Sequence, residues 1–525
     1  MRKIAIFDSM LRDGAQAEGI SFSVKDKLKI VKALDTFGVG YIEAGNPASN
    51  PKDLEFFEEV KKIKLGNSKL VAFGSTRRPD ITAAVDKNLQ SLLSAETPAV
   101  AVFGKCWDFH VTEIIHTTPE ENLAMISETV AFLKENGKEV IFDAEHFFDG
   151  FKANPLYAMA ALAAADEAGA DVLALCDTNG GSFPMEVFDI VSKVRERFGD
   201  KIGIHCHNDS GVAVANSLMA VEAGASHVQG TFIGYGERCG NANLSTIIPN
   251  LQLKQSMDCV PPENMPLLAR TARYIAEISN VILLDKMPYV GRSAFSHKAG
   301  MHVDGVAKAS GSFEHISPDA VGNERRFLTS EVAGRMAILE QIKKIDPSKN
   351  KNSPETEQIV RKIKELEHQG YQFEGAEGSV SLIIRKNLGL YNTFFELVNF
   401  KIIGEQPYTE GSSASAFIKI MVDGKPEVTA SEGDGPVNAL DKALRRALEV
   451  FYPNAADMHL IDYKVRVMDS AAATASVVRV LIESSDQDES WCTVGVSKDI
   501  IEASWLALVD SIEYKLTKDR ENALA

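Results

Sequence analysis

Two histidines two residues apart are the clearest chemical feature of this chain. His205 and His207 stand at the end of an apolar run that begins at Ile202. Side chains at positions i and i+2 of a β-strand point to the same face, so the two imidazoles are expected to converge. Converging imidazoles beside carboxylates bind divalent cations. A hydrogen-bonded histidine pair without an ion is the alternative, and the spacing by itself does not separate the two.

Eight strand-like runs alternate with amphipathic stretches from the start of the chain to about residue 255. The runs are Ile4–Phe7, Tyr41–Ala44, Leu70–Phe73, Val100–Phe103, Val140–Phe142, Val172–Cys176, Ile202–His205 and His227–Phe232. Apolar residues at helical spacing predict helices between them, including Lys25–Phe37, Pro119–Glu135 and Pro184–Phe198. This alternation predicts an α/β fold, a (β/α)₈ TIM barrel. An open doubly wound sheet is the alternative, but its usual glycine-rich phosphate loop is absent after the first run.

Polar clusters follow seven of these runs, at the end where barrel enzymes carry their active sites. Asp13 follows the first run, which neighbours the eighth in a closed barrel, so Asp13 is expected to face His205 and His207. The amide oxygen of Asn241 is a candidate fourth ligand. This mixed set of donors suits Zn²⁺, Mn²⁺ or Mg²⁺ and a chelated α-keto acid. Arg12 is expected to stabilise the alkoxide formed at an attacked carbonyl, with a structural salt bridge as its alternative role.

Composition indicates a soluble globular protein. The chain has 525 residues, of which 45% are hydrophobic and 25% charged, and its formal net charge is −17. That charge argues against nucleic acid or an anionic membrane as partner. No apolar run approaches the roughly 20 residues that span a bilayer. Six cysteines without paired spacing favour a reducing compartment, so a cytoplasmic location is expected.

Three motifs together resemble a known enzyme family. They are LRDGAQ at residues 11–16, HCHND at 205–209 and GERCGN at 236–241. In this combination and order they resemble the metal-dependent Claisen enzymes that include the isopropylmalate, homocitrate and citramalate synthases. Ala15 before Gln16, and the run FDAEHFFDG at 142–150, look like the citramalate synthase branch. The resemblance covers essentially the whole chain.

The resemblance implies an acyltransferase that condenses acetyl-CoA with pyruvate to give citramalate on the route to isoleucine. Isopropylmalate or homocitrate synthesis, with another keto acid, is the nearest alternative. An acyl-CoA lyase and a non-catalytic amino-acid-binding protein, whose barrel has lost its activity, are more distant alternatives. Phe103, Phe142 and Phe147 could close the pocket against larger keto acids, or could equally belong to the core.

The resemblance also implies roles for individual residues. The residues matched to metal ligands are Asp13, His205 and His207, with Asn241 as a weaker or more distant ligand. The residues matched to substrate binding are Arg12, Gln16 and Thr178. The residues matched to catalysis are Arg12, Glu145, Glu237 and His302. Glu145 matches an acid near the acetyl group, and Glu237 matches an acid that orders the metal-bound water or a neighbouring motif. Three of these residues have alternative structural roles: Thr178 would cap a helix, Glu145 would pair with an arginine, and Glu237 would only stabilise its own loop.

A histidine after the barrel is implied as the base that deprotonates the acetyl methyl group. His302 is the better match and His297 the runner-up. In the family this segment reaches the active site of the partner subunit, which implies a homodimer with exchanged subdomains. The isopropylmalate synthases also bring a tyrosine from this region, whereas Ser312–Arg326 contains Phe313 and no tyrosine, so that assisting role is unassigned.

Three domains are predicted: the barrel over 1–265, a mainly helical linker over 266–395, and an α+β regulatory domain over 396–525. The last domain shows an alternation that indicates a pseudo-repeat: strand-like runs at Phe417–Val422, Lys464–Met468 and Val477–Ile482, and helical runs at Val437–Leu448 and Ile500–Tyr514. A glycine-containing turn is predicted at Thr493–Ser497, before the second helical run. The run GDGPVNA at 433–439 resembles a regulatory domain, which implies an isoleucine effector near Gly433, Gly435 and Pro436. A role in dimerisation alone is the alternative.

Overall fold

The structure, a computed structural model, describes residues 2–47, 51–298, 300–327, 335–373, 375–404, 413–468, 476–486 and 489–524. It divides into two compact units. The first comprises Met1–Phe295 and Ile316–Glu324, and the second Ser296–His315 and Arg325–Ala525. Within the described ranges, no helix combines the length and the apolar character that crossing a membrane requires.

The first unit contains a closed barrel of eight parallel strands, which confirms the predicted fold. The strands are β1 (Ala5–Asp8), β2 (Tyr41–Glu43), β3 (Lys69–Ser75), β4 (Ala99–Lys105), β5 (Glu139–Glu145), β6 (Val172–Asp177), β7 (Ile202–Cys206) and β8 (His227–Gly230). Each strand pairs with its sequence neighbours, and β1 closes the barrel on β8 with Asp8 opposite Gly230. Every predicted run overlaps one strand.

Helices surround the barrel strands. They are α1 (Val24–Phe37), α2 (Pro51–Val60), α3 (Lys87–Ser94), α4 (Asp108–Glu113), α5 (Pro119–Glu135), α6 (Phe147–Ala153), α7 (Pro155–Glu167), α8 (Pro184–Phe198), α9 (Ala213–Glu222), α10 (Leu244–Pro249) and α11 (Leu268–Ile278). Local chemistry explains the sharp start of α5. The Thr118 hydroxyl accepts the backbone N–H of Glu121, and Pro119 occupies the first helical position.

The barrel interior changes from apolar to polar toward the carboxyl ends of the strands. Its apolar layer consists of Phe7, Val71, Ala99, Ala101, Ile141 and Ala174. On β5 the same face continues from Ile141 to Asp143 and then Glu145, because alternate residues of a strand share a face. On β3 it continues from Val71 to Phe73. The larger hydrophobic core lies outside the strands, between them and the helices.

The second unit begins with a mainly helical segment. Strands β9 (Ser296–His297) and β10 (Arg326–Phe327) pair in parallel. The helices are α12 (Gly300–Lys308), α13 (Arg335–Ile345), α14 (Pro354–His368) and α15 (Glu377–Leu388). Ile338, Ile342, Ile359 and Ile363 belong to one buried cluster. Helix α11 shares buried residues with the barrel core, so the domain boundary at 265/266 stays a prediction.

Two three-stranded antiparallel sheets, each followed by a helix, form the C-terminal part of the second unit. The first contains β11 (Glu396–Gly404), β12 (Ala414–Val422) and β13 (Lys425–Gly433), and α16 (Pro436–Glu449) follows it. The second contains β14 (His459–Val467), β15 (Val478–Ser485) and β16 (Ser490–Ser497), and α17 (Ile500–Leu524) follows it. This repetition agrees with the predicted pseudo-repeat in an α+β domain.

The predicted turn at Thr493–Ser497 is wrong, because these residues lie inside β16. Gly495 does not mark a bend. A Cβ atom at this position would lie 2.0 Å from the carbonyl oxygen of Ala503 on α17. The glycine therefore serves the close approach of helix and sheet, a function that sequence alone does not distinguish from a turn.

Candidate metal centre and active site

The two histidines converge on Asp13, as the sequence predicts. Their Nε2 atoms lie 3.4 Å (His205) and 3.5 Å (His207) from Oδ2 of Asp13, and their ring centroids are 5.1 Å apart. All three residues are buried, and their candidate ligand atoms lie within 4.8 Å of one another. Among the described residues, no other group of three histidines, cysteines and acids meets this condition.

A turn after β1 brings Asp13 to this position. The backbone N–H of Asp13 donates to the carbonyl of Ser9 at 2.8 Å, and Ser9 itself donates to Gly230 at the end of β8 at 2.8 Å. The closure of the barrel between β1 and β8 therefore places a residue from the start of the chain beside β7. These backbone hydrogen bonds explain why Asp13 lies at the position that the sequence predicts.

Two buried oxygen atoms support a cation at this position. Oδ1 of Asp13 and Oδ1 of Asn241 are buried and have no hydrogen-bond partner. The amide nitrogen of Asn241 donates to the carbonyl of Tyr235 at 3.1 Å, so the orphaned atom is the oxygen. Asn241 also pairs with His207 in an isolated β-bridge. A carboxylate, two imidazoles and a free amide oxygen form a donor set that fits a divalent metal ion.

The electrostatic surroundings keep Asp13 ionised. Burial raises the pKa of its carboxyl group, but Arg12, His205 and His207 together hold that pKa well below its usual value. The pKa of His205 is raised. Burial lowers it, but the hydrogen bond with Asp13 and the negative charge of Asp13 raise it by more. A carboxylate that attracts a proton to its neighbour also attracts a cation, which agrees with a metal centre.

Arg12 is held on three sides. Its Nε donates to Oε2 of Glu43 at 2.7 Å, its Nη1 lies 3.2 Å from Oδ2 of Asp13, and its guanidinium carbon lies 3.8 Å from the centroid of Phe73. Glu43 is fully buried, and burial raises its pKa to about 7. The salt bridge considered as the alternative role of Arg12 is therefore present. It also orients the guanidinium beside the candidate metal centre.

Glu145 and Thr178 lie at the same rim, in different surroundings. Glu145, at the end of β5, forms an ion pair with Lys105, which lies opposite it at the end of β4. The pairing that sequence left open is thus made with a lysine and not an arginine. The hydroxyl of Thr178 accepts the backbone N–H of His146 at 2.9 Å, directly before α6. The predicted roles of both residues in substrate binding and catalysis stay predictions.

Gln16 and Glu237 are both exposed. Gln16 lines a cavity of about 380 Å³ together with Arg12, Asn46 and Phe73. The nearest charged partner of Glu237 is Arg238, with 3.7 Å between Oε2 and Nη1. Neither position is buried against other polar groups, so their predicted roles also stay predictions.

Arg238 lies inside the motif at residues 236–241, and its type and position in the sequence predicted none of its contacts. Its guanidinium donates to both carboxylate oxygens of Asp209 at 2.8 and 2.9 Å and to the carbonyl of Thr178 at 2.8 Å. It also lies 2.8 Å from Nδ1 of His207. The two N–H groups of this nitrogen are already directed at Asp209 and Thr178, so the contact orients the His207 ring without fixing its tautomer.

The comparisons with known proteins agree with this geometry. Residues 3–274 match the HMGL-like family, 289–371 the homocitrate synthase post-HMGL domain-like family, and 374–516 the LeuA allosteric (dimerisation) domain. The (R)-citramalate synthase of Aquifex aeolicus is 52% identical to the chain, with 99% of each chain covered. That of Geobacter sulfurreducens is 48% identical, again with 99% of each covered. A probable 2-isopropylmalate synthase of Methanopyrus kandleri is 31% identical over 99% of each chain.

The chain belongs to the family of the (R)-citramalate synthases. Its barrel is HMGL-like, which confirms the family resemblance and the fold predicted from the three motifs.

Among the aromatic residues considered for the pocket, only Phe103 faces the interior of the barrel mouth. Phe142 and Phe147 are fully buried in the core outside the strands. Phe103 is half-buried and stacks on Phe73, with ring centroids 5.5 Å apart and planes inclined by 21°. The wall on this side of Arg12 is therefore formed by Phe73 and Phe103.

The two histidines proposed as bases lie in the second unit and differ in availability. His297 is buried, with Nε2 3.1 Å from Oε1 of Glu314, whose two oxygens also accept hydrogen bonds from Arg325 at 2.6 Å. His302 lies on α12, is exposed, and stacks on Phe313 with ring centroids 4.3 Å apart. His297 has a structural partner, whereas His302 presents its ring to solvent. This difference favours His302 as the base.

Gly433, Gly435 and Pro436 connect β13 to α16. A Cβ atom on Gly433 would lie 2.5 Å from the backbone nitrogen of Ala439, so the glycine allows strand and helix to approach. Gly435 is the N-cap residue and Pro436 the first residue of α16. Their local conformation has a structural explanation, and their regulatory role stays a prediction.

Proposed function

We propose that this chain is an acyltransferase that condenses acetyl-CoA with pyruvate and water to give (R)-citramalate and CoA. The observation that carries the proposal is the convergence of Asp13, His205 and His207 beside Arg12. This arrangement occurs in a chain whose full-length relatives at 52% and 48% identity are (R)-citramalate synthases.

Asp13, His205 and His207 would hold a divalent ion, with Asn241 as a further ligand. Zn²⁺, Mn²⁺ and Mg²⁺ all suit this mixture of nitrogen and oxygen donors. When bound, such an ion polarises the keto group of an α-keto acid. Two buried oxygen atoms without hydrogen-bond partners, on Asp13 and Asn241, support this assignment.

Arg12 stabilises the negative charge that forms on the keto oxygen when the carbonyl carbon is attacked. Its contacts with Glu43 and Phe73 hold the guanidinium in place before the reaction, so no reorganisation is needed. Thr178 binds the carboxylate of pyruvate, and Glu145 acts near the acetyl group. Gln16 contacts substrate from the cavity beside Arg12.

His302 removes a proton from the methyl group of acetyl-CoA, and the resulting carbanion forms a carbon–carbon bond with the keto carbon. Water then cleaves the thioester, which releases CoA and leaves citramalate. The exposed position of His302 supports this role, because a base that serves another subunit must be accessible in its own. The working enzyme is accordingly a homodimer with exchanged subdomains.

The C-terminal part of the chain binds isoleucine as an allosteric effector near Gly433, Gly435 and Pro436. The match of residues 374–516 to an allosteric (dimerisation) domain supports regulation and assembly by this region. End-product inhibition by isoleucine follows from the proposed reaction. The enzyme acts in the cytoplasm.

Thiol release from acetyl-CoA tests the function. Pyruvate, 2-oxobutyrate, 2-oxoisovalerate and 2-oxoglutarate are supplied separately, each with and without a chelator. Preference for pyruvate, abolished by chelation, is the expected result. Preference for 2-oxoisovalerate or 2-oxoglutarate would move the chain to isopropylmalate or homocitrate synthesis. Thioester cleavage without any keto acid would indicate a hydrolytic activity, and no turnover at all would favour a lyase or a non-catalytic protein.

A further inference from the structure

Gln229, on β8, connects a candidate metal ligand to a buried acid. Its Oε1 lies 2.9 Å from Nδ1 of His205, and its Nε2 donates to Oδ1 of Asp143 at 2.8 Å. Gln229 is completely buried, and the exposed fractions of His205 and Asp143 are 5% and 4%. The three residues come from β8, β7 and β5, so this chain of hydrogen bonds crosses the interior of the barrel.

The chemistry of the amide decides which nitrogen of His205 carries the proton. The oxygen of Asp143 accepts, so Gln229 presents its NH₂ group to Asp143 and its oxygen to His205. An amide oxygen only accepts, and Nδ1 of His205 must therefore be the donor. In the neutral imidazole this leaves a lone pair on Nε2, the atom that lies 3.4 Å from Oδ2 of Asp13. A lone pair and a carboxylate oxygen repel each other, and a cation between them binds to both.

His207 provides a contrast within the same site. Its Nδ1 lies 2.8 Å from Nη2 of Arg238, whose two N–H groups are already directed at Asp209 and Thr178, so this contact does not fix the tautomer of the His207 ring. Only His205 is held with the Nε2 lone pair directed toward Asp13. The difference arises from residues that are not themselves candidate ligands.

We propose that Gln229 and Asp143 are positioning residues that hold His205 in the Nδ1–H form and thereby set the affinity of the site for a divalent cation. The proposal rests on the metal centre of the proposed function. Hydrogen-bond partners of metal-ligating histidines fix the tautomer and ring orientation, and their loss typically costs 10–100-fold in metal affinity.

An exchange of donor and acceptor tests this hydrogen-bond chain. Gln229→Glu keeps an acceptor for Nδ1–H of His205 but places a second carboxylate against Asp143, with no donor between them. Adding Asp143→Asn supplies an amide that donates to the new glutamate. The double variant therefore restores the order of donors and acceptors with side chains of nearly unchanged shape. Asp143→Asn alone still accepts from Gln229.

The affinity of the purified, metal-stripped full-length protein for Zn²⁺, Mn²⁺ and Mg²⁺ is measured by isothermal titration calorimetry. For the ion that the wild type binds most tightly, Gln229→Leu and Gln229→Glu are expected to weaken binding about 10–100-fold. The double variant should return to within about threefold of the wild type, as should Asp143→Asn. Gln90→Leu, at an exposed position far along the chain from the site, is the matched control and should not change the affinity.

Two results would overturn the inference while leaving the metal centre intact: Gln229→Leu with wild-type affinity, or a double variant that binds as weakly as Gln229→Glu. If Gln229→Leu does not fold, the two isosteric single variants and their combination still decide the question. A wild-type protein that binds none of the three ions would instead overturn the metal centre itself, and the inference with it.

Discussion

The guanidinium group of Arg12 lies over the face of Phe73, with 3.8 Å between its central carbon and the ring centroid. Phe73 in turn stacks on Phe103. Attraction between the cation and the ring supplements the salt bridge to Glu43, so Arg12 is fixed by contacts of two different kinds. The same aromatic pair occupies space beside the expected keto-acid position. Under the proposed function, this aromatic pair would both hold Arg12 in place and limit the size of the keto acid.

Shortening Phe103 should widen the range of acceptors. We expect Phe103→Ala to raise kcat/KM for 2-oxobutyrate relative to pyruvate by about 10-fold or more, since a methylene group in an apolar pocket is worth roughly 1–3 kcal/mol. Thiol-release kinetics with both acids measure the ratio. Phe183→Ala, at an exposed position before α8, is the control. An unchanged ratio would show that this wall does not limit substrate size.

Arg12→Lys should lower kcat by about 10²–10³-fold, the usual cost of losing one oxyanion donor. Lysine keeps a positive charge beside Asp13, so the bound metal should remain. It cannot reproduce the planar contacts with Glu43 and Phe73. Steady-state kinetics and metal analysis of the same preparation check both parts. A variant with near wild-type kcat would leave Arg12 with only its structural salt bridge.

His205→Ala should lose bound metal and activity together, because it removes one of three convergent ligands. Metal content after dialysis and CoA release are the two measurements. Chelation of the wild type should produce the same inactive state, and addition of the metal should reverse it. His116→Asn, at an exposed position, is the control. Retention of both metal and activity in His205→Ala would remove this residue from the ligand set.

His302→Ala should retain metal and pyruvate binding but abolish CoA release, because the methyl proton then has no acceptor. Calorimetry with pyruvate and the thiol assay separate the two effects. For His297→Gln we expect a loss of stability as well, since His297 contacts the buried acid Glu314. If turnover survives in His302→Ala and disappears in a folded His297→Gln protein, the base is His297.

Stability should depend on pH through His227. This residue is buried against Phe7 and Tyr41, both ring nitrogens lack partners, and burial lowers its pKa from 6.5 to about 3. The unfolded chain therefore binds a proton that the folded chain does not, so stability is lost as pH falls from 6.5 toward 3. At pH 5 the loss from this group is about 2 kcal/mol.

Denaturant unfolding at pH 7 and pH 5, with chelator present, measures this effect. We expect His227→Leu to reduce the difference between the two pH values by about 2 kcal/mol, because leucine does not titrate. Gln90→Leu, at an exposed position without a titrating group, should leave the difference unchanged. An equal pH dependence in wild type and His227→Leu would contradict the assignment.

Elements marked by a pattern within a few consecutive residues were predicted correctly, whereas elements that depend on distant contacts were not. The eight barrel strands are continuous apolar runs because both of their faces are covered, and the start of α5 is marked by Thr118 and Pro119. Strands β11 and β13 were missed, since these outer strands are largely exposed and mix polar with apolar residues. Gly495 was misinterpreted because a glycine needed for packing and a glycine needed for a turn look alike in sequence.

The sequence by itself determined the candidate ligands. His205 and His207 share a face through their spacing alone, and the motif order placed Asp13 on the neighbouring side of the barrel. Only the tertiary structure decided what surrounds them. Gln229 and Asp143 are 86 positions apart, and Arg12 lies in the turn after β1 whereas Phe73 lies on β3. Such contacts are created by barrel closure and by the direction of each side chain, neither of which any local pattern of residues encodes.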